Sequence, residues 1–319
     1  MAESILKINS LVKNFRSHWT MSAIKALQGI SFEVGTGEAF GFLGHNGAGK
    51  TTAIKCILGL VRKTSGEILF QGEPLMRASQ RAHIGYLPEQ PYFYDHLSVL
   101  ETLDFFASLH GMRGQEKSRR VNELLALVGL QNRTHASVRS LSKGLQQRLG
   151  FAQAIINSPA LLILDEPFSG LDPLGRVEIR KLIVDLHRNG TSIMMSSHIL
   201  SDVENICSRV SIMTQGIIQE TFSIKEMSAK YGKEFTLTIL TERAACENQS
   251  LNLGEKDVSF ENTTDGTFAT YHFEDTKSAH QALQICVESK CNIQSFSSCS
   301  PKLEDIFIDI TSKSRKEVA

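Results

Sequence analysis

The segment GHNGAGKT at residues 44–51 constrains the fold more than any other part of the chain. It fits the pattern G-x-x-x-x-G-K-[ST], and it lies between an apolar run at 39–43, which predicts a strand, and a periodic stretch at 51–60, which predicts a helix. Glycines let the backbone turn its N–H groups inwards around a phosphate, and the helix that follows directs its positive dipole end at the anion. The segment therefore predicts a phosphate-binding loop rather than a plain glycine-rich turn.

Two side chains in this loop add chemistry of their own. Lys50 brings a mobile positive charge to the outer phosphates of a nucleotide, and the Thr51 hydroxyl can ligate Mg²⁺. We expect the nucleotide to be bound by the following residues: Gly44, His45, Asn46, Gly47, Ala48, Gly49, Lys50, Thr51 and Thr52.

A second motif, LLILDEP at residues 161–167, is an apolar strand that ends in two carboxylates. Open parallel sheets bind their ligands at the carboxyl ends of the strands. Paired acids after a strand can also be no more than a strand edge or a helix cap, but this pair follows a phosphate loop in the same chain. We therefore predict that Asp165 holds Mg²⁺ through its water shell and that Glu166 orients and deprotonates an attacking water.

The remaining sequence predicts an α/β protein with a P-loop NTPase core. Alternating apolar runs in residues 1–40 indicate an antiparallel sheet, helical periodicity fills 98–153, and strand patterns return at 161–164 and 192–195. After Gln219 the composition shifts towards Ser, Thr, Glu and Asn, and alternation reappears at 235–239 and 267–271. We predict a nucleotide-hydrolysing domain over 1–220, with an antiparallel β subdomain and a helical insertion at about 90–153. A small C-terminal α+β domain is predicted over 221–319.

Charge and hydropathy exclude several classes of protein. Lys plus Arg and Asp plus Glu number 34 each, so no net charge favours nucleic acid or an anionic membrane surface as a partner. The longest apolar runs, such as 160–164, are far shorter than the roughly 20 residues that cross a bilayer, and the N-terminus has no signal-peptide pattern. The six cysteines show neither a CxxC motif nor Cys/His ligand spacing. We expect a cytosolic chain with reduced thiols, without zinc and without disulfides.

The stretch between the two nucleotide motifs carries a family resemblance. LSKGLQQR at residues 141–148 resembles the LSGGQ signature of the ATP-binding cassette (ABC) ATPases, which separates them from other P-loop proteins. SGLD at 169–172 looks like the D-loop of that family, and Ser197 with His198 looks like its switch-histidine motif. The resemblance covers residues 4–220 strongly and the remainder modestly. It implies that the nucleotide is ATP and that the chain hydrolyses it with Mg²⁺ as cofactor.

The same resemblance implies roles for residues outside the loop. Ser142 and the backbone of Gly144 would reach across a dimer interface to the γ-phosphate held by the other subunit, which implies a homodimer or a pair with a similar ATPase. His198 would contact the γ-phosphate in its own subunit, whereas a lone histidine near a strand end is usually structural. Phe15 at the end of the first strand fits the adenine-stacking aromatic, with Trp19 as the competing candidate and a core phenylalanine as the plain alternative.

Two places depart from the family pattern. The Q-loop glutamine, which links the metal site to the membrane partner, aligns with Glu89, so a carboxylate stands where an amide is expected. Glu89 can still approach Mg²⁺ or the attacking water, and Gln90 is the other candidate for the role. The signature carries Lys143 and Leu145 where the consensus has Gly and Gln. Contacts through those two side chains therefore cannot be carried over from the family.

The exact residues in these motifs resemble those of one branch of the family. GHNGAGKTT, the YLPE form of the Q-loop and the SKG form of the signature look like the ATPases that energise ABC-2-type permeases, among them drug and polysaccharide exporters and copper-maturation systems. LEDIFI at residues 303–308 resembles the extra C-terminal domain of drug-resistance ATPases. The branch implies a polytopic permease as partner, no nucleic acid, and a position at the inner face of the cell membrane. For residues 221–319, a packing or dimer-stabilising role and a regulatory role are both open.

Two other functions fit parts of the sequence. A soluble ABC ATPase acting on ribosomes or DNA would be favoured by two cassettes in one chain, a long coiled-coil insertion or a basic linker, and the sequence has none of these. A P-loop kinase would leave the signature at 141–148 unexplained. ATP-driven transport is therefore the predicted function, and its direction, export, rests on the branch alone.

Overall fold

The computed structural model describes residues 4–16, 23–230, 234–241, 255, 257–263, 266–273, 275–299 and 303–316. The chain divides into two compact units, one that runs up to Phe222 and resumes at Lys313, and another over Ser223–Ser312. Trp19, one of the two adenine-stacking candidates, lies outside the described residues. The functional division of the chain at residue 220 stays a prediction.

The first unit alternates strands and helices in the way the sequence predicts. Its elements are β1 (Ser4–Arg16), β2 (Ala23–Gly35), β3 (Ala39–Leu43), α1 (Lys50–Ile57), β4 (Ser65–Phe70), β5 (Glu73–Pro74), α2 (Ala78–Arg81), β6 (Ile84–Leu87), α3 (Val99–Leu109), α4 (Gly114–Leu127), two short 3-10 helices (Gln131–Arg133 and Val138–Ser140), α5 (Lys143–Ala154), β7 (Leu161–Asp165), α6 (Pro173–Arg188), β8 (Ser192–Ser197), α7 (Leu200–Ile206), β9 (Arg209–Thr214) and β10 (Ile217–Ser223).

Two sheets organise this unit. The antiparallel sheet has the order β2-β1-β4-β5, with Lys7 opposite Glu33 on one side and Leu69 on the other. The second sheet has the order β10-β9-β3-β8-β7-β6, and the strands from β9 to β6 pair in parallel. Every residue of β3, β7 and β8 is buried, as expected for a parallel sheet that is covered on both faces. The predicted α/β core and antiparallel subdomain are confirmed.

The parallel pairing brings four chain segments to one edge of the sheet. β3, β6, β7 and β8 all run in the same direction, so the segments that follow their carboxyl ends lie side by side. These segments begin at Gly44, Pro88, Glu166 and His198. All the predicted nucleotide motifs except the signature therefore meet at this edge.

The insertion between β6 and β7 is helical, as predicted. α3 begins at a capping box, in which Ser98 N donates to Glu101 Oε2 at 2.8 Å and Glu101 N donates to Ser98 Oγ at 3.2 Å. α4 ends at Leu127, because Gly129 adopts a left-handed φ of 70° and stops the helix. α5 begins where Ser142 Oγ accepts a hydrogen bond from Leu145 N at 3.4 Å.

The second unit is the α+β fold predicted for the C-terminal part. Its elements are α8 (Ile224–Lys230), β11 (Glu234–Thr241), β12 (Asp257–Thr263), β13 (Gly266–Phe273), α9 (Thr276–Glu288), β14 (Asn292–Cys299) and α10 (Leu303–Lys316). The strands form an antiparallel sheet of order β12-β13-β11-β14, and alternate residues of β11 and β13 form a core with α9, for example Leu237, Tyr271 and Ala282. No helix within the described ranges is long and apolar enough to cross a membrane.

Helix α9 ends in a Schellman motif whose apolar contact is made by two cysteines. Lys290, at φ 55°, donates its N–H to Val287 O at 3.1 Å, and Cys291 N donates to Cys286 O at 2.9 Å. The motif places the half-buried Cys291 beside the buried Cys286. Burial first, and then the neighbouring Cys291, raise the pKa of Cys286 from 9.0 to about 11.

We expect iodoacetamide at about pH 8 to alkylate Cys291 well before Cys286, because only the thiolate reacts and Cys286 stays protonated and shielded. Peptide mapping by mass spectrometry measures both sites, and in urea the two should react alike. Since the folded pKa of Cys286 is raised, this thiol stabilises the fold below pH 9.0, and its contribution is lost as the pH rises through about 11. Equal alkylation in the folded protein would contradict the burial of Cys286.

Candidate nucleotide-binding and catalytic site

The loop between β3 and α1 is built so that two of its positions accept only glycine. A Cβ on Gly44 would lie 2.5 Å from the carbonyl oxygen of Met213, which is closer than van der Waals contact allows. Gly49 caps α1 at a left-handed φ of 109°, and a Cβ there would lie 2.7 Å from the carbonyl oxygen of Ala26. The loop is thus held tightly against the strands behind it, with its N–H groups at the start of α1.

Lys50 connects this loop to the acidic motif after β7. Its side chain is only 5% exposed, and its Nζ donates a hydrogen bond to Gly44 O at 2.6 Å. The same Nζ lies 3.2 Å from Glu166 Oε1, which forms an ion pair. Glu166 Oε1 is buried and has no hydrogen-bond partner, so the contact with Lys50 is electrostatic and lacks hydrogen-bond geometry. One acceptor position on this carboxylate is therefore open to a proton donor.

Asp165 is a buried carboxylate beside two hydroxyl groups. Thr51 Oγ1 donates to Asp165 Oδ1 at 3.3 Å, and Ser196 Oγ donates to the same oxygen at 2.6 Å. Burial raises the pKa of Asp165 and the Glu166 charge raises it further, whereas the two hydroxyl donors and Lys50 lower it. The net direction of the pKa is upwards, with burial as the largest cause, and an added cation would favour the ionised carboxylate.

These oxygens suit Mg²⁺ as a ligand set completed by phosphate and water. Carboxylate and hydroxyl oxygens are hard ligands, and Mg²⁺ in nucleotide sites takes only one or two of them from the protein. Thr51 and Asp165, which the sequence assigns to the metal, lie next to each other across the loop. No cluster of three or more His, Cys, Asp or Glu side chains in the described part of the chain could hold a metal without such outside ligands.

Glu166 and His198 form a close pair at the same edge. His198 Nδ1 lies 2.7 Å from Glu166 Oε2, and His198 N donates to that oxygen at 3.3 Å. Glu166 has a left-handed φ of 50°, a conformation that costs a residue with a side chain about 1–3 kcal/mol. Its N–H is fixed by Ser196 O at 3.1 Å. The backbone strain aims the carboxylate between Lys50 and His198.

Glu89, rather than Gln90, faces this group of residues. Glu89 lines the same cavity as the loop, and its Oε1 accepts a hydrogen bond from Ser169 Oγ at 3.3 Å. Gln90 is exposed and does not line the cavity. The geometry thus favours Glu89 of the two Q-loop candidates, and it ties the segment after β6 to the segment after β7.

A cavity of about 500 Å³ lies over the loop. It is lined by loop residues 45–52, by Glu89 and Glu166, by Ile24, Lys25, Ala26 and Gln28 of β2, and by Gln215 and Gly216. Of the predicted loop residues only Gly44 lies outside the lining, because it is packed behind the loop. The wall from β2 was missed, because no motif marks it. It is fixed by Gln28, whose N–H and Nε2 donate to Gly216 O and Gln215 O at 2.9 and 2.8 Å.

Seven predicted residues lie outside the lining of the cavity: Phe15, Gly44, Gln90, Ser142, Gly144, Asp165 and His198. Phe15 is 39% exposed and lies outside the lining, with Lys13 Nζ 4.6 Å from its ring centre. Ser142 is exposed at the start of α5, and Gly144 is half-buried near Leu171. Contact of Ser142 and Gly144 with a phosphate stays a prediction. Stacking by Phe15 stays a prediction.

Comparison with known proteins identifies the family. The bacitracin transport ATP-binding protein BcrA of Bacillus licheniformis is 33% identical over 313 residues, which are 96% of this chain and 97% of that protein. The chain belongs to the ABC transporter family. The model of that family, ABC transporter, matches residues 27–169, from β2 through the phosphate loop and signature to the start of the D-loop. As a member, the chain is an ATP-binding subunit and an ATPase.

Other members support this assignment. The uncharacterized ABC transporter ATP-binding protein sll0415 of Synechocystis is 44% identical over 211 residues, which are 66% of this chain and 60% of that protein. The chain thus covers less than two thirds of that relative. The dimeric post-hydrolysis structure of the ATP-binding cassette MJ0796 with ADP and Pi has 22% identity and a TM-score of 0.63, and covers 69% of this chain and 98% of that one. This likeness confirms the fold.

Proposed function

We propose that this ABC ATPase works as a dimer that hydrolyses two ATP molecules and powers export through a separate ABC-2-type permease. The observation that carries the proposal is the Glu166 carboxylate, held between Lys50 and His198 at the edge of the phosphate loop. A carboxylate with one buried oxygen that accepts no hydrogen bond, beside a phosphate site, is placed to accept a proton from water.

The roles of the residues follow from their contacts. The N–H groups of 45–52 and the Lys50 ammonium bind the phosphates, while Glu166 orients the attacking water and takes its proton. His198, hydrogen-bonded to Glu166, turns its other ring nitrogen to the γ-phosphate. When bound by Thr51 and Asp165, Mg²⁺ supplies positive charge that neutralises the phosphate oxygens. Glu89 is linked to this group by its hydrogen bond with Ser169. Through this link, Glu89 would transmit the change between ATP-bound and hydrolysed states to the permease.

Pairing of two chains completes the site. Ser142 is exposed at the start of α5, outside the cavity of its own chain, and Gly144 offers a backbone that a phosphate can approach closely. Each would contact the γ-phosphate held by the partner subunit. The MJ0796 cassette is dimeric in its post-hydrolysis state, which supports pairing of two chains here. ATP would then hold the two subunits together and hydrolysis would release them.

The permease would dock where aromatic side chains are exposed between β6 and α3. Tyr92 is 90% exposed, and Tyr94 and Phe105, in edge-to-face contact with ring centres 5.8 Å apart, are also exposed. Exposed aromatic groups of this kind are enriched at protein interfaces. BcrA is named for bacitracin transport, which supports a transport role and a place at the inner face of the membrane. Residues 221–319 are proposed as an accessory domain.

We expect the tagged chain, extracted from membranes in mild detergent, to co-purify with a polytopic protein in equal amount. The Tyr92→Ala/Tyr94→Ala variant should lose most of this partner, because both side chains lie on the proposed docking surface. Phe260→Ala, which removes an exposed aromatic ring in the second unit, serves as the matched control and should retain it. Recovery of ribosomes or DNA in place of a membrane protein would contradict transport.

A further inference from the structure

A partly buried ion pair joins α6 to α7. Arg180 of α6 contacts Asp202 of α7 through its Nη2 and the Asp202 Oδ1. The Asp202 side chain is 2% exposed, whereas that of Arg180 is 34% exposed. Asp202 Oδ2 and Arg180 Nε are buried and have no hydrogen-bond partner. The pair therefore makes one contact where an arginine and a carboxylate can make two.

Stability is a poor explanation for this pair. Removing a carboxylate from water is costly, and the cost is recovered only when the remaining lone pairs are satisfied. Asp202 leaves one oxygen unsatisfied, so an apolar contact between α6 and α7 would stabilise the fold at least as well. The charged pair instead fixes the position of α7 relative to α6, because it joins one residue of each helix.

These two helices lead away from the two catalytic side chains. α6 begins at Pro173, and its N-cap residue Asp172, six positions after Glu166, accepts a hydrogen bond from Gly175 N at 2.8 Å. α7 begins at Leu200, two positions after His198. At the front, His198 Nδ1 lies 2.7 Å from Glu166 Oε2, and at the back the ion pair joins the helices. The contacts and the chain between them form a closed ring.

We propose that Arg180 and Asp202 are positioning residues for ATP hydrolysis, which hold His198 against Glu166 by fixing α7 to α6. This inference rests on the catalytic roles proposed for Glu166 and His198. Neither Arg180 nor Asp202 lines the cavity, so their effect on turnover passes through His198. A role limited to holding the fold together would act on stability and leave the geometry of His198 unaffected.

The test compares ATP turnover in four proteins: wild type, Asp202→Asn, His198→Ala and the double variant. We expect Asp202→Asn, which keeps the size of the side chain, to lower kcat by about 10-fold with KM for ATP little changed, because small misplacements of catalytic groups slow the chemistry. Asp202→Glu, which keeps the charge, should recover most of that loss. In the His198→Ala background, Asp202→Asn should cause no further fall in kcat.

Each other result overturns the inference. Suppose that His198→Ala is slow and that adding Asp202→Asn lowers kcat by the same factor as in the wild type. The ion pair would then act independently of His198. A His198→Ala variant with normal kcat would contradict the proposed role of His198 and this inference with it. Should Asp202→Asn fail to fold, Arg180→Lys at the more exposed end replaces it in the same cycle. Asp185→Asn makes the same chemical change on α6, at a carboxylate that forms no ion pair with any described residue, and should leave kcat unchanged.

Discussion

The Glu166→Gln variant is expected to hydrolyse ATP about 10² to 10⁴ times more slowly than the wild type, because an amide cannot accept the proton of the attacking water. Phosphate release under saturating ATP measures this rate. The substitution keeps the shape of the side chain, and its oxygen can still accept the His198 N–H that reaches Oε2 at 3.3 Å. A rate close to that of the wild type would contradict Glu166 as general base.

ATP affinity in the same variant should stay the same or increase. In the wild type the Lys50 ammonium lies 3.2 Å from Glu166 Oε1, so part of its attraction for phosphate is balanced by a neighbouring negative charge. Gln removes that charge, and binding of a fluorescent ATP analogue measures the result. Glu123→Gln, which removes an exposed carboxylate paired with Arg119 on α4, is the control and should change neither the rate nor the affinity.

The phosphate loop could be predicted from the sequence because its chemistry fixes residue types at fixed spacings. At Gly44 the carbonyl of Met213 leaves no room for a side chain, and at Gly49 the left-handed backbone excludes one. Lys50, Asp165 and Glu166 are likewise set by charge and by the strand that precedes them. A short sequence motif is sufficient to predict a site when all the residues that the chemistry needs lie in that one segment.

Contacts between distant segments could not be predicted in this way. Ser196 donates to Asp165 at 2.6 Å only because β8 lies beside β7 in the sheet, and the order of strands is not written in any local pattern. The SSH sequence at residues 196–198 could have indicated it, since the serine precedes the predicted switch histidine. The pair of Arg180 and Asp202 gave no signal, because it depends on how α6 packs against α7.

The lining of the cavity depends on which strand of the antiparallel sheet borders the loop, and alternation alone does not fix this. β1 pairs with β2 so that Phe15 lies opposite Ile24, and Ile24 lines the cavity while Phe15 does not. Residues that lie opposite each other in an antiparallel pair share one face of the sheet, so the strand nearer the loop supplies the lining. The sequence predicted the antiparallel sheet, but it could not predict that β2 rather than β1 lines the cavity.

The Lys50→Ala variant is expected to bind ATP about 10 to 100 times more weakly, because hydrogen bonds to charged groups contribute about 1.5–3 kcal/mol each. Lys50 is fixed for this task, since it is 5% exposed and donates to Gly44 O at 2.6 Å. Equilibrium binding of a fluorescent ATP analogue measures the loss. Lys55→Ala, which removes an exposed lysine from the same helix, should bind ATP normally. Unchanged affinity in Lys50→Ala would refute the phosphate-loop assignment.

The same substitution separates binding from stability. Without Lys50, the buried Glu166 carboxylate loses its cation, and breaking a buried pair on one side costs about 3–5 kcal/mol of folding free energy. The melting temperature of Lys50→Ala should therefore fall. Adding Glu166→Gln removes the unpaired charge and should restore most of the stability, yet it cannot restore ATP binding, because the phosphates still lack their ammonium. If both properties recovered together, Lys50 would be only a partner for Glu166 and not a phosphate ligand.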